Sequence, residues 1–183
     1  MTGLRRRAAA SAAAAWGVVV ALIASCGHHD SSADCSNGTC MCAAHESCDF
    51  SCRSPPCHVD CGSGATCSGT CANGECTCEE GASCSFSCGA PPCHVTCEGS
   101  NPKCDGTCAD GTCTCAAGST CRFACASGPC HTVCPAGASC VVACPNAGLA
   151  GTQDCDIVSC GAGSPVTCPD GLTITCGADC PGD

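Results

Sequence analysis

Two patterns of apolar residues divide the chain. From Ala8 to Ser25 the residues are apolar apart from Ser11, Gly17 and the closing Ser25, and Arg5, Arg6 and Arg7 precede them. Beyond Cys26 no apolar run approaches that length. Apolar and polar residues alternate there instead, as in Cys48-Asp49-Phe50-Ser51-Cys52 and Cys84-Ser85-Phe86-Ser87-Cys88. A period of two is that of a strand with one buried face, here with Cys and Phe inward and Asp49, Ser51, Ser85 and Ser87 outward. Each C-x3-C predicts a strand of about five residues, the common length. Gly, Pro and cysteine interrupt every stretch long enough for a helix, so little or no helix is expected after the apolar run.

The strands recur in a larger period. Units beginning at Cys35, Cys71 and Cys108 share the spacing C-x4-C-x-C-x5-C-x3-C-x4-C-x3-C-x5/6-C-x3. Self-similarity at about 36 residues is the mark of a repeat architecture. Residues 35–70, 71–107 and 108–143 form three units, and 144–183 form a degenerate cysteine-rich cap, as expected where a stack must present a polar end to water. Residues 26–34 read as a polar tether. The expected class is a small disulfide-rich all-β fold, either a narrow β-solenoid or a string of knotted hairpin modules. Strand spacing that continues across unit boundaries favours the solenoid.

Composition explains why cysteine is so abundant. From Cys26 onward the chain has 14 Leu, Ile, Val and Phe residues, no Tyr and no Trp. That is about 9%, where less than ~20% ordinarily signals disorder. Hydrophobic burial at ~25 cal/mol per Å² does not offset chain entropy at that content. Thirty cysteines follow Cys26. An even number, in an oxidising compartment, reads as a disulfide framework. The same region sets three basic side chains (Arg53, Lys103, Arg122) against all 16 acids, a formal charge of −13. Such a surface repels nucleic acid and anionic headgroups, so no nucleic-acid partner is expected.

The N-terminal pattern ends in Leu22-Ile23-Ala24-Ser25-Cys26. It resembles the lipobox of bacterial lipoprotein precursors: a basic start, an apolar stretch, an aliphatic residue at Ile23, small residues at Ala24 and Ser25, then the cysteine. The resemblance covers about the first 27 residues. It implies a signal peptide over 1–25 and lipid attachment at Cys26, hence a membrane partner through the N-terminal lipid. Gly27 stands where an Asp, in the Gram-negative sorting rule, keeps a lipoprotein at the inner membrane, so the implied location is the outer membrane. With its dense cysteine repeats the chain is similar to predicted cysteine-rich lipoproteins of high-GC bacteria such as myxobacteria, which implies no activity.

The repeats offer three kinds of candidate chemistry. Asn37-Gly38, Asn73-Gly74 and Asp110-Gly111 sit within C-x-[N/D]-G-x-C. These dipeptides suit a two-residue type I′ hairpin. The cysteines then face each other as a non-hydrogen-bonded pair ~4.5 Å apart, within reach of a disulfide. The predicted bridges are Cys35–Cys40, Cys71–Cys76 and Cys108–Cys113.

Cys40/Cys42, Cys76/Cys78 and Cys113/Cys115 form C-x-C, which metallothioneins use to bind soft metals as thiolates. Export, a single Lys and phenylalanine between the cysteines weigh against that reading, so no metal or cofactor is assigned. The C-x-C and the interval after it also resemble EGF-like modules, although the other intervals do not match.

His58, His94 and His131 each follow Pro-Cys at one repeat position. A residue next to an inward cysteine faces outward, so each Cys-His pair is a poor chelate; stacked repeats would place the three imidazoles on one face. No C-x-x-C, nucleophile elbow, phosphate loop or H-E-x-x-H is present, and Glu79-Glu80 is the single adjacent acidic pair. The reading is a non-catalytic, lipid-anchored, disulfide-stabilised envelope protein with a structural or binding role. Its partner is an unidentified protein or glycan. The alternatives are metallothionein-like metal binding and an EGF-like adhesive role.

Overall fold

The computed structural model describes residues 31–34, 38–52, 56–145, 155–161 and 163–182. Twelve strands and no helix occur among the described residues. In chain order they are β1 (Ser31–Asp34), β2 (Thr39–Cys42), β3 (Ser47–Ser51), β4 (His58–Cys61), β5 (Thr66–Cys78), β6 (Ser83–Cys97), β7 (Lys103–Thr114), β8 (Thr120–Cys134), β9 (Ser139–Ala143), β10 (Cys155–Cys160), β11 (Val166–Thr167) and β12 (Thr173–Cys176).

From β1 to β9 every pairing is parallel, and each strand lies beside the next turn of chain. Thr66 sits beside Ser83, Ser83 beside Lys103 and Lys103 beside Thr120, so one turn takes 17 to 20 residues. This is a β-solenoid, and parallel register rules out a string of antiparallel hairpins. It also divides the 36-residue unit into two coils.

What distinguishes the two coils lies in the interior. One inward row runs Phe50, Gly69, Phe86, Gly106, Phe123, Val142, each residue in register with the next. The row on the opposite wall runs Cys40, Val59, Cys76, Val95, Cys113, Thr132, Ile157. A coil with Phe and Val thus alternates with a coil of Gly and Cys, and large-over-small layering fills a narrow interior without voids. All three phenylalanines are buried.

Thr132 is the exception in its row. It is fully buried, and its Oγ1 has no hydrogen-bond partner among the described residues. Val59 and Val95 hold the same place in the other units. An unpaired buried hydroxyl costs on the order of 1 kcal/mol or more. Thr132→Val is therefore expected to stabilise the oxidised protein by about 1 kcal/mol, seen as a higher guanidinium midpoint at unchanged m-value.

Two local expectations are corrected. Asn37 lies outside the described residues, and the other two dipeptides make no hairpin: Asn73 and Gly74 lie inside β5, and Asp110 and Gly111 inside β7. Only the first residue of each is left-handed (φ 47° at Asn73 and at Asp110), whereas a type I′ turn needs both. The chain bends there and continues, which is why β5 and β7 run to 13 and 12 residues and not five. Glycine follows for a different reason. A Cβ on Gly74 would stand 1.8 Å from the Cys57 carbonyl oxygen, and one on Gly111 would stand 2.4 Å from that of Cys93. The bend brings successive coils too close for any side chain.

The second correction concerns the tether. Its last four residues, Ser31–Asp34, form β1 and pair with Cys48–Ser51 of β3. A terminal rung is held by backbone hydrogen bonds, so it needs no apolar pattern.

The C-terminal residues end the stack. β10 still runs parallel to β8, but β12 is antiparallel to β9 and β11 antiparallel to β12. Reversing direction closes the growing edge against further parallel addition. Asp170 holds the turn before β12. Its Oδ1 accepts the backbone N–H groups of Leu172 and Thr173, each at 2.9 Å, and its Oδ2 accepts the Thr173 hydroxyl at 2.6 Å. These hydrogen bonds, the Thr173 hydroxyl foremost, lower the Asp170 pKa.

A depressed folded-state pKa contributes stability that is present above the unfolded value and lost as pH falls through the folded one. Acidification is therefore expected to loosen this turn before the disulfide-closed coils. The Thr173 amide resonance should move with a midpoint below the ordinary aspartate range, and Asp170→Asn should abolish that midpoint.

Candidate functional site

The interior is lined with sulfur. Each of the 29 described cysteines is disulfide-bonded. In the coils the bridges fall into two columns. One closes C-x4-C: Cys52–Cys57, Cys71–Cys76, Cys88–Cys93, Cys108–Cys113 and Cys125–Cys130. The other closes the intervals of five or six residues: Cys42–Cys48, Cys61–Cys67, Cys78–Cys84, Cys97–Cys104, Cys115–Cys121 and Cys134–Cys140. Each bridge clamps a bend between the two walls. Loops this short contribute about 2 kcal/mol each in the chain-entropy model, and their number compensates for the small apolar core.

Cys71–Cys76 and Cys108–Cys113 are thus bridged, but across a bend within one strand and not across a hairpin. Cys40 is bridged too; Cys35, and with it the pairing Cys35–Cys40, lies outside the described residues, as does Cys26. The C-x-C motif has a plain geometric meaning. Cys76 and Cys78 both face inward, and one bonds back to Cys71 while the other bonds forward to Cys84.

Sulfurs of successive bridges crowd together. Cys97 and Cys121 approach to 3.8 Å and Cys115 and Cys140 to 3.4 Å, and triads such as Cys61, Cys78 and Cys84 fall within 4.8 Å of one another. Soft metals require thiolates. Bridged sulfur supplies none, so in the oxidised protein these clusters are packing.

The outward side chains form long rows, because register carries each repeat position across the coils. One row is Thr77, Thr96, Thr114. Parallel to it runs Thr39, His58, Glu75, His94, Thr112, His131, Asp156. Its members are in register except that His94 joins Thr112 through a hydrogen bond from the Thr112 N–H to Nδ1, at 3.2 Å. The stack therefore gathers His58, His94 and His131 on one face, in alternate coils. His58, Glu75 and His94 are exposed. His131 Nδ1 lies 2.7 Å from Asp156 Oδ1, an interaction that sequence reasoning missed because 25 residues separate the partners.

The opposite outer face carries Thr66, Ser68 and Thr70 beside Ser83, Ser85 and Ser87, with Asp49, Lys103, Asp105 and Arg122 in neighbouring coils. A cleft of about 350 Å³ beside β11 and β12 is lined by Ser164, Val166, Thr175 and Asp179 among others. Its lining holds one carboxylate and no imidazole or amine. No family model, curated protein or solved structure matches the chain.

Proposed function

We propose that this chain is a non-catalytic lipoprotein of the bacterial cell envelope, anchored through Cys26, whose solenoid acts as a rigid rod for structure or binding. The complete oxidation of the described cysteines carries the reading. A framework of buried disulfides belongs to an extracytoplasmic compartment, and that is where the lipobox around Cys26 would deliver the chain. The described parallel stack on the Phe wall has seven rungs, from β1 to β9, and measures roughly 30 Å. Bridges on both edges leave its walls little freedom to bend.

Such a rod presents whole rows of side chains at fixed spacing, which suits contact with an extended protein or glycan. The serine and threonine rows supply hydroxyls for that contact. Gly27 after Cys26 favours the outer membrane.

Cys26→Ser tests the anchor. Several acyl chains at ~0.8 kcal/mol per buried CH₂ make release negligible. The wild type should therefore stay with outer-membrane fractions at high salt, and the variant should become soluble. A variant that still pellets with membranes refutes the assignment. The mass of the native protein against its fully reduced form counts the bridges independently. A metal-loaded, reduced protein from the envelope would favour the metallothionein-like alternative.

A further inference from the structure

We infer that the outward row holds a divalent transition-metal site of the zinc or copper(II) class, formed by His58, Glu75 and His94. The observation is positional. Two carboxylates stand in the row, and only Glu75 has an imidazole in the adjoining rung on each side. The other, Asp156, is already paired with His131 at 2.7 Å.

Opposed residues of neighbouring strands lie ~4.8 Å apart, so the two histidine Cα atoms are about 9.6 Å apart with Glu75 between them. Side-chain rotation spans that distance onto one ion held above the glutamate. The donor atoms are not gathered into one coordination sphere in the structure, so loading draws three exposed side chains together. Their backbones are already fixed. His58 follows bridged Cys57, Glu75 precedes bridged Cys76 and His94 follows bridged Cys93. Ordering is confined to side chains.

Two imidazoles and a carboxylate are a borderline donor set. They suit zinc and copper(II), and they do not suit calcium or magnesium, which take oxygen. The acidic surface adds long-range attraction for a cation.

One contact opposes loading. The Thr112 N–H donates to Nδ1 of His94 at 3.2 Å, on the side away from Glu75. A neutral His94 in that contact carries its proton on Nε2. The ring must therefore leave the Thr112 amide and turn a free nitrogen toward Glu75. This makes the Thr112 amide a reporter of the site that does not depend on measuring affinity.

The inference gives a ligand to the binding role proposed above. It rests on the oxidised rod and not on the lipid, so fractionation of Cys26→Ser and metal titration fail separately. The experiment is a Zn²⁺ titration by calorimetry and NMR on the full mature chain, oxidised and lipid-free. His28 and His29 are replaced by Ala so that the segment before the rod contributes no imidazole. One ion per chain is expected, with a shift of the Thr112 amide at the same stoichiometry. His58→Ala and His94→Ala should each weaken binding by about tenfold or more, since loss of even an outer-shell partner of a metal site costs that much. Glu75→Gln should also weaken it, and His131→Ala should not. These exposed substitutions leave the bridges intact, which the native mass verifies. Absence of binding overturns the site, and so does an equal loss in His131→Ala and His94→Ala or a Thr112 amide that stays in place.

Discussion

Gly74→Ala is expected to prevent the coil containing β5 from closing onto β4, although it adds a single methyl group. The new Cβ would stand 1.8 Å from the Cys57 carbonyl oxygen and 2.7 Å from the Cys57 N and C atoms. All three are backbone atoms, and Cys57 is tied to Cys52. The obstacle is no side chain that can rotate away. Overpacking a core ordinarily costs 1–3 kcal/mol; a clash with clamped backbone should cost about 3 kcal/mol or more.

In a protein that must form its bridges while folding, the loss should appear first as low yield and mispaired disulfides by peptide mapping. Gly81→Ala is the control. A Cβ there meets nothing within 4 Å, and only its φ of +68° disfavours alanine, at about 1 kcal/mol. Equal damage at the two positions would mean that close approach of the coils is not what Gly74 serves.

Phe86→Ala is expected to cost about 3–5 kcal/mol, the range for deleting a buried aromatic ring. The position is severe because its row neighbours, Gly69 and Gly106, have no side chains with which to fill the space. Relaxation would have to come from the walls, and bridges on both edges hold those apart. The framework is expected to close nonetheless, so the variant should show protease sensitivity and scrambled bridges around Cys84 and Cys88 more than outright unfolding. Phe50→Ala and Phe123→Ala should show the same signs, less severely at Phe123, where Val142 borders the space on one side. Wild-type protease resistance in all three would place the rings outside the packed interior.

Both substitutions act on the alternation of coils, and that alternation marks the boundary of what could be read beforehand. The all-β class, the inward phenylalanines and the dependence on disulfides follow from local rules. A period of two assigns faces, glycine and proline exclude helices, and 14 aliphatic and Phe residues from Cys26 onward cannot supply an ordinary core. The 36-residue period was visible, but its division into two coils was not, since Phe86 and Gly69 look unrelated until register places one upon the other. The Asn-Gly and Asp-Gly dipeptides misled for a related reason. Their local preference is for a hairpin, but parallel stacking with two clamped edges favoured a bend within a continuing strand, with Gly74 and Gly111 selected by proximity to the neighbouring coil.

The sequence alone therefore determined which side of each strand is buried and what replaces a hydrophobic core, because both depend on neighbours one to five residues away. Only the tertiary structure decided which residues meet across coils. The His131–Asp156 pair spans 25 positions, and the Phe–Gly row and the His58–Glu75–His94 row join residues 17 to 20 positions apart. That separation is the length of a turn of the solenoid. It is set by how many residues the bridged bends consume, a quantity that appears only when the coils stack.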